Sequence, residues 1–234
     1  MKRVINLKNI TKSYTSRNET VHVLDNITLS INPGKFVSII GPSGSGKTTL
    51  LQVIGLLDEP TSGEIIIDGV HVNQLTNKER NRLRNRKISY IFQQYQLLPA
   101  LTALENIMLP ILQFKKNKEV IERAEHLIEQ VGLKDRRHHT PAKLSGGEQQ
   151  RIAIARALMS QPDIILADEM TGNLDEDTAN HIMELFQKIH RQDKKTIVMV
   201  THNLELIKYT EDAYQLRNGH LSKIDRNLNT YVAE

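Results

Sequence analysis

Eight residues, Gly41-Pro42-Ser43-Gly44-Ser45-Gly46-Lys47-Thr48, limit what this chain can fold into more than any other feature. They fit G-x-x-x-x-G-K-[ST] in full, a pattern that carries chemistry only where a strand enters it and a helix leaves it. Both flanks are present. The apolar run Phe36–Ile40 follows a Pro33-Gly34 turn signal and reads as a strand, and Thr48–Leu57 reads as a helix. Glycines let the backbone curl so that successive N–H groups point inward at phosphate oxygens. The helix N-terminus adds the positive end of its dipole. Lys47 supplies a mobile cation for β- and γ-phosphates, and the Thr48 hydroxyl is placed for Mg²⁺. The pattern is specific for a nucleoside triphosphate and says little about its use.

The rest of the chain reads as α/β. Val4, Ile5, Leu7 and Ile10 suggest an edge strand followed by a turn at Thr-Lys-Ser-Tyr, and Ile27–Ile31 alternates again. Glu64–Asp68, Ile88–Phe92, Asp163–Ala167, Thr196–Thr201 and Ala213–Leu216 are further strand candidates. Asp163–Ala167 and Thr196–Thr201 lack alternation, as parallel strands covered on both faces do. Between about residues 95 and 160 the pattern turns helical: Val120, Ala124, Leu127, Ile128 and Val131 share a face, and Gly132 stands where a helix ends. A strand-and-helix core is thus interrupted by a mostly helical insertion. Lys78–Lys87 holds six basic residues and one acid, read first as a solvated helix face and second as a contact with lipid headgroups or a partner.

Composition narrows the chemistry. The 234 residues include no cysteine, which excludes disulfides, thiol catalysis and Cys-ligated metals. No apolar stretch approaches the roughly 18 residues of a membrane span, and Met1–Asn6 turns polar too soon for a signal-peptide core. These features lead us to expect a cytoplasmic chain. The isoelectric point of 9.2 invites a nucleic-acid reading, but it rests on a net charge of only +4.

Two acids close the run Ile164-Ile165-Leu166-Ala167-Asp168-Glu169. Neighbours on a strand point to opposite sides, so the expectation is two different tasks. Asp168 is the natural Mg²⁺ partner, and Glu169 is the candidate general base for an attacking water. Nothing reads Asn-Lys-x-Asp, which sets guanine-nucleotide binders aside. The segment Leu144-Ser145-Gly146-Gly147-Glu148-Gln149-Gln150-Arg151 precedes a helix expected over Glu148–Met159. It makes a second anion-binding helix N-terminus, and two such loops for one nucleotide per site suggest that the second serves another subunit. An N-capping serine followed by flexible glycines is the competing reading.

With these motifs the chain resembles the ABC-transporter ATPases over nearly its whole length. Leu144–Arg151 is similar to their signature motif, Gln93 to the Q-loop glutamine near Mg²⁺ and the attacking water, and Asp175 to the D-loop aspartate at a dimer seam. His202 is similar to the switch histidine on the γ-phosphate, and Tyr14 to the aromatic residue that stacks on adenine. The resemblance implies a phosphate-loop α/β core at 1–94 and 161–234, RecA-like with a mainly parallel sheet and an N-terminal antiparallel β portion. A helical subdomain at 95–160 would interrupt it. It implies ATP and Mg²⁺ as cofactors, with a nucleotide-binding set running from Gly41 through Thr49. It also implies a head-to-tail-facing homodimer in the ATP-bound state. Each ATP would meet Lys47, Asp168, Glu169 and His202 of one chain and Ser145, Gly146 and Gly147 of the other.

Within the family, Gly63–Gly69, Gln93–Pro99, Leu101–Asn106 and Ala167–Asp175 are most similar to the macrolide-export and lipoprotein-release branch, which includes antimicrobial-peptide exporters and the cell-division ATPase. That branch implies a separate membrane permease, in some cases a periplasmic or extracellular adaptor, and a place at the cytoplasmic face of the membrane. Leu97–Leu112 is the candidate groove for the permease, with the core of the helical insertion as its plain alternative. The short polar tail after Lys223 fits the compact type without a regulatory domain. A mechanical regulator of cell-wall hydrolysis and a nucleic-acid-associated ATPase are the other classes in view. No nucleic acid is expected, because the latter usually carry fused cassettes or long coiled coils. One departure stands out: Met170 follows Glu169 where the family usually has Pro, which would fix φ and remove an N–H. Met170→Pro is expected to change ATPase turnover modestly, by about two- to fivefold. Indistinguishable rates in parent and variant would remove the idea.

Overall fold

The computed structural model describes residues 3–16, 19–112 and 118–225; the tail from 226 onward, and Met1 with Lys2, lie outside it. In chain order the elements are β1 (Ile5–Ser16), β2 (Glu19–Ile31), β3 (Phe36–Ile40), α1 (Lys47–Ile54), β4 (Ser62–Ile67), β5 (Val70–His71), α2 (Asn77–Lys87) and β6 (Ile88–Ile91). Then follow α3 (Ala103–Leu112), α4 (Lys118–Gln130), α5 (Gly146–Met159), β7 (Ile164–Asp168), α6 (Glu176–Asp193), β8 (Thr196–Thr201), β9 (Asp212–Arg217) and β10 (His220–Lys223).

Two sheets result. One is antiparallel, in the order β2-β1-β4-β5; the other runs β10-β9-β3-β8-β7-β6, parallel except for the β9–β10 hairpin. Strands β3, β7 and β8 are buried at every residue, which explains their unbroken apolar runs. On one face of the parallel sheet Leu166, Val198 and Val200 pack with Leu50, Leu51 and Ile54 of α1, and with Ile5, Leu7 and Leu24 of the antiparallel sheet. On the other face Ile165, Ile197 and Met199 meet Ile152, Met183 and Phe186, and that core continues into α3 and α4. Helix α1 is therefore enclosed between the two sheets.

Several boundaries differ from the sequence expectation. β1 is not an edge strand ending at Ile10; it pairs with β2 on one side and β4 on the other and runs through Thr11-Lys12-Ser13-Tyr14. Asn9 adopts φ +51° and the register shifts around it, so the buried set moves from Ile5 and Leu7 to Ile10 and Lys12. A bulge of this kind breaks alternation without ending the strand. Helix α1 stops at Ile54 rather than Leu57, with Gly55 as its cap and Leu56 at φ +56°. Helix α5 begins at Gly146, two residues before the expected start, because Ser145 and Glu148 form a reciprocal capping box there.

In the helical stretch, Tyr95–Thr102 is irregular and helix begins at Ala103. Val120, Ala124, Leu127, Ile128 and Val131 are all buried, and Gly132 takes φ +74° directly after α4 and Val131. Helix α2 buries no residue, which leaves the basic run Lys78–Lys87 on the surface; Lys87 pairs with Asp68 and Asp163. Met170 is 2% exposed and belongs to the core, so its side chain fills space that a proline ring would fill less fully. No helix among the described residues is long and apolar enough to cross a membrane.

Glu211, the residue preceding β9, ties that strand to the base of β3. Its carboxylate accepts from the Phe36 N–H at 2.9 Å and from Lys35 Nζ at 2.8 Å, with His190 Nε2 at 3.5 Å. Burial pushes its carboxyl up, but Lys35 and the Phe36 N–H outweigh this and hold it below the ordinary 4.5. A group lowered on folding stabilises above its unfolded value, and that contribution is lost as pH falls through the folded one. The side chain is 42% exposed, so solvent screens the effect. Glu211→Gln is expected to cost roughly 0.5–1 kcal/mol in urea unfolding at pH 7. The gap to the parent should close as pH falls below about 4.5.

Candidate functional site

The glycine loop leaves the buried strand β3 and is pressed between two neighbouring strands. A Cβ on Gly41 would lie 2.3 Å from the Leu216 carbonyl oxygen of β9. Gly46, the residue before α1, sits at φ +97°, where a Cβ would lie 2.9 Å from the Val23 carbonyl oxygen of β2. No other residue type fits either position without moving backbone. Lys47, 5% exposed, donates from Nζ to the carbonyls of Gly41 and Pro42, both at 2.9 Å. Ser45 Oγ is buried with no hydrogen-bond partner among the described residues. An orphaned hydroxyl inside a turn of backbone N–H groups fits an incoming phosphate oxygen.

A cavity of about 360 Å³ opens over this loop, lined by Val23, Ser43, Gly44, Gly46, Lys47, Thr48, Thr49, Gln93 and Glu169. Thr48 Oγ1 donates to Asp168 Oδ1 at 3.2 Å. Burial raises the Asp168 carboxyl above its usual range and Glu169 adds to this, while Thr48 and Lys47 work against it. A hydroxyl and a carboxylate side by side, with phosphate oxygens to complete the shell, make an oxygen-donor set of the kind that suits Mg²⁺.

The two acids do not face opposite sides as strand alternation led us to expect. Strand β7 ends at Asp168, and Glu169 takes φ +42°, which turns its side chain back toward the same loop. Glu169 Oε1 lies 3.5 Å from Lys47 Nζ, and Oε2 lies 3.1 Å from Nδ1 of His202, the exposed residue after β8. The two acids still touch different groups. Gln93 follows β6 and shares the cavity with Glu169; its carbonyl accepts from Asn173 Nδ2 at 3.5 Å.

The second loop lies elsewhere in the same chain. Ser145 Oγ accepts from the Glu148 N–H at 3.2 Å, while Glu148 accepts from the Ser145 N–H at 2.8 Å. A Cβ on Gly146 would be 2.9 Å from the Tyr95 hydroxyl, and one on Gly147 would be 2.5 Å from Thr178 Cγ2. None of these three residues lines the cavity over Lys47. Asp175 caps α6, accepting from the same Thr178 through its N–H at 2.9 Å, and these bonds hold its carboxyl low. Ser145 caps α5, and Thr178 places Asp175 beside the same loop.

Tyr14 is 43% exposed, and its hydroxyl donates to Asp58 Oδ2 at 2.7 Å, beside the Thr49 side chain. Sequence reasoning missed Asp58 and its second partner Lys12, because 46 residues separate that pair. It also missed Arg156, which reaches from α5 to the carbonyls of Tyr95 and Gln96 at 2.7 and 2.6 Å and pins the segment after Gln93. No local signal marks such long-range contacts.

A parallel α/β sheet that feeds a glycine loop into a buried helix, with Lys, Thr and two acids converging there, defines a phosphate-loop nucleoside triphosphatase. Comparison with known proteins narrows the class. The profile of the family described as ABC transporter matches residues 24–172. The chain is 48% identical to an uncharacterized ABC transporter ATP-binding protein of Thermotoga maritima, across 97% of each. It is 45% identical to the lipoprotein-releasing system ATP-binding protein LolD of Rickettsia bellii, across 94% of this chain and 98% of that one. A dimeric post-hydrolysis structure of the cassette MJ0796 of Methanocaldococcus jannaschii, bound to ADP and Pi, superposes with a TM-score of 0.86 at 43% identity. The match covers 94% of this chain and 98% of that one. The chain belongs to the ABC transporter family and is an ATP-hydrolysing, ATP-binding subunit of it.

Removing the Lys47 cation should remove charge-assisted contacts of about 1.5–3 kcal/mol. Lys47→Ala is accordingly expected to bind ATP roughly 10- to 100-fold more weakly in equilibrium titration. Parent-like affinity would contradict the placement of phosphates on this loop.

Proposed function

We propose that this chain dimerises head to tail on ATP and drives a separate membrane permease of the export or extrusion type. The reading is carried by one observation: Gly146 and Gly147 stand against Tyr95 and Thr178, and neither they nor Ser145 line the cavity that holds Lys47, Thr48, Gln93 and Glu169. If both loops serve one nucleotide, the second loop must come from a partner chain. A relative of 43% identity is a dimer bound to ADP and Pi, which supports this arrangement.

In this reading the loop N–H groups from Gly41 to Thr49 and the Lys47 ammonium hold the β- and γ-phosphates. Thr48, Asp168 and Gln93 would hold Mg²⁺, which neutralises phosphate charge when bound. Tyr14 takes the adenine ring. Glu169 receives the proton of a water that attacks the γ-phosphorus, and ADP leaves with the β-phosphate oxygen. Its carboxylate is aimed by Lys47 at one oxygen and His202 at the other. Ser145, Gly146, Gly147 and Asp175 lie at the seam toward the partner's ATP. Closure of the pair on ATP and reopening on loss of phosphate supply the stroke.

The helical part, 95–160, inserted between 1–94 and 161–234, would carry the seam and offer Leu97–Leu112 to the permease. Leu98 is 48% exposed there, while Ala103, Ile107 and Met108 face the core. The lipoprotein-releasing relatives support a lipoprotein cargo; macrolide and antimicrobial-peptide cargoes rest on the resemblance of the motifs alone. The permease would hold the chain at the cytoplasmic face of the membrane.

Glu169→Gln keeps the shape of the base and loses its proton affinity. It is expected to bind ATP like the parent, hydrolyse it at least about 100-fold more slowly, and run as a dimer in ATP on gel filtration. A variant that stays monomeric in saturating ATP would argue against the two-chain site.

A further inference from the structure

Beyond the phosphate loop, a compact polar cluster surrounds Tyr14. Lys12 and Tyr14 lie two apart on β1 and so project to the same side. Lys12 is 9% exposed, an unusual burial for an ammonium. Its Nζ donates to Asp58 Oδ1 at 2.7 Å and to the Glu59 carbonyl at 2.7 Å. The same Nζ stands 4.6 Å from the centre of the Tyr14 ring. Asp58 uses its other oxygen, Oδ2, to accept from the Tyr14 hydroxyl at 2.7 Å, and its Oδ1 also accepts from the Glu59 N–H at 2.7 Å.

We propose that the pair of buried Lys12 and half-buried Asp58 is a clamp that positions Tyr14 as the platform for the nucleobase. It thereby sets how much of the ATP affinity comes from the base. The inference rests on the reading of Tyr14 as the base-contacting residue. A tyrosine with 43% exposure on a strand would otherwise sample several rotamers. Here the tip of the ring is held by a carboxylate and one face by an ammonium, which leaves the opposite face for a flat ring. The Thr49 side chain of α1, the helix that carries Lys47 and Thr48, stands beside the same phenol. Base platform and phosphate loop are thus referenced to one rigid element. Preorganisation of this kind removes the ordering cost from binding. Asp58 divides its two oxygens between the Lys12 ammonium and the Tyr14 hydroxyl, so one carboxylate fixes both the ring tip and the cation on its face.

The test compares two probes, ATP and inorganic tripolyphosphate, which has no base, by calorimetric titration. The variants are Tyr14→Ala, Tyr14→Phe, Lys12→Met and the double variant Lys12→Met with Asp58→Leu, which leaves no buried charge unpaired. Tyr14→Ala is expected to weaken ATP by about tenfold and leave tripolyphosphate within about twofold. Lys12→Met, the double variant and Tyr14→Phe should each weaken ATP about three- to fivefold, again sparing tripolyphosphate. Parent-like ATP affinity in Lys12→Met and the double variant, with loss in Tyr14→Ala, would overturn the clamp and leave the Tyr14 reading standing. Equal loss for both probes would also overturn it, since a structural role alone moves both. An unchanged ratio of the two affinities in Tyr14→Ala would overturn the Tyr14 reading itself.

Discussion

The nucleotide site depends on the enclosure of one eight-residue helix. A helix as short as α1, Lys47–Ile54, does not persist in water on its own, since nucleation outweighs the few hydrogen bonds it gains. It exists here because Leu50, Leu51, Val53 and Ile54 are fully buried between the antiparallel and the parallel sheet. That burial fixes where its N-terminus points. Gly46 at φ +97° then turns the chain tightly enough for the loop before it to present N–H groups to one centre. Thr48, one residue into the helix, meets Asp168 at the end of the neighbouring layer. Two sheets that seem unrelated in sequence thus serve a single task.

What was legible in the sequence was local. The strands Phe36–Ile40 and Thr196–Thr201 have the bounds that their apolar runs imply, and the buried face of α4 is the one that helical periodicity marks. The glycine loop was legible because its chemistry is written in eight consecutive residues. Features that depend on backbone reversal or distant partners were not. The bulge at Asn9 hid the second half of β1, and the left-handed turn at Glu169 reversed the argument from strand alternation. The Lys12–Asp58–Tyr14 cluster joins a strand to a loop more than 40 residues away, so neither segment carries its signature alone. The hairpin strand His220–Lys223 is too short and too polar to announce itself.

The second loop gains a physical account from its own chain. Ser145 and Asp175 each cap a helix, and Thr178 meets both Asp175 and the space beside Gly147, so the two cap regions form one surface. Caps already satisfied within the chain hold that surface in shape before any partner arrives. Tyr95 and Arg156 connect it onward. The Tyr95 hydroxyl packs at Gly146, and Arg156 holds the Tyr95 and Gln96 carbonyls just after Gln93. In the proposed machine this chain of contacts links the γ-phosphate end of the cavity to the helical part that faces the permease.

In the proposed dimer each chain holds half of each nucleotide site. Steady-state ATPase rate measured against protein concentration, at saturating ATP and without any permease, tests it most directly. The account predicts that activity per chain rises with concentration at the dilute end and levels off once dimers dominate. Activity per chain that stays constant down to concentrations where the ATP-bound protein sediments as a monomer would contradict it.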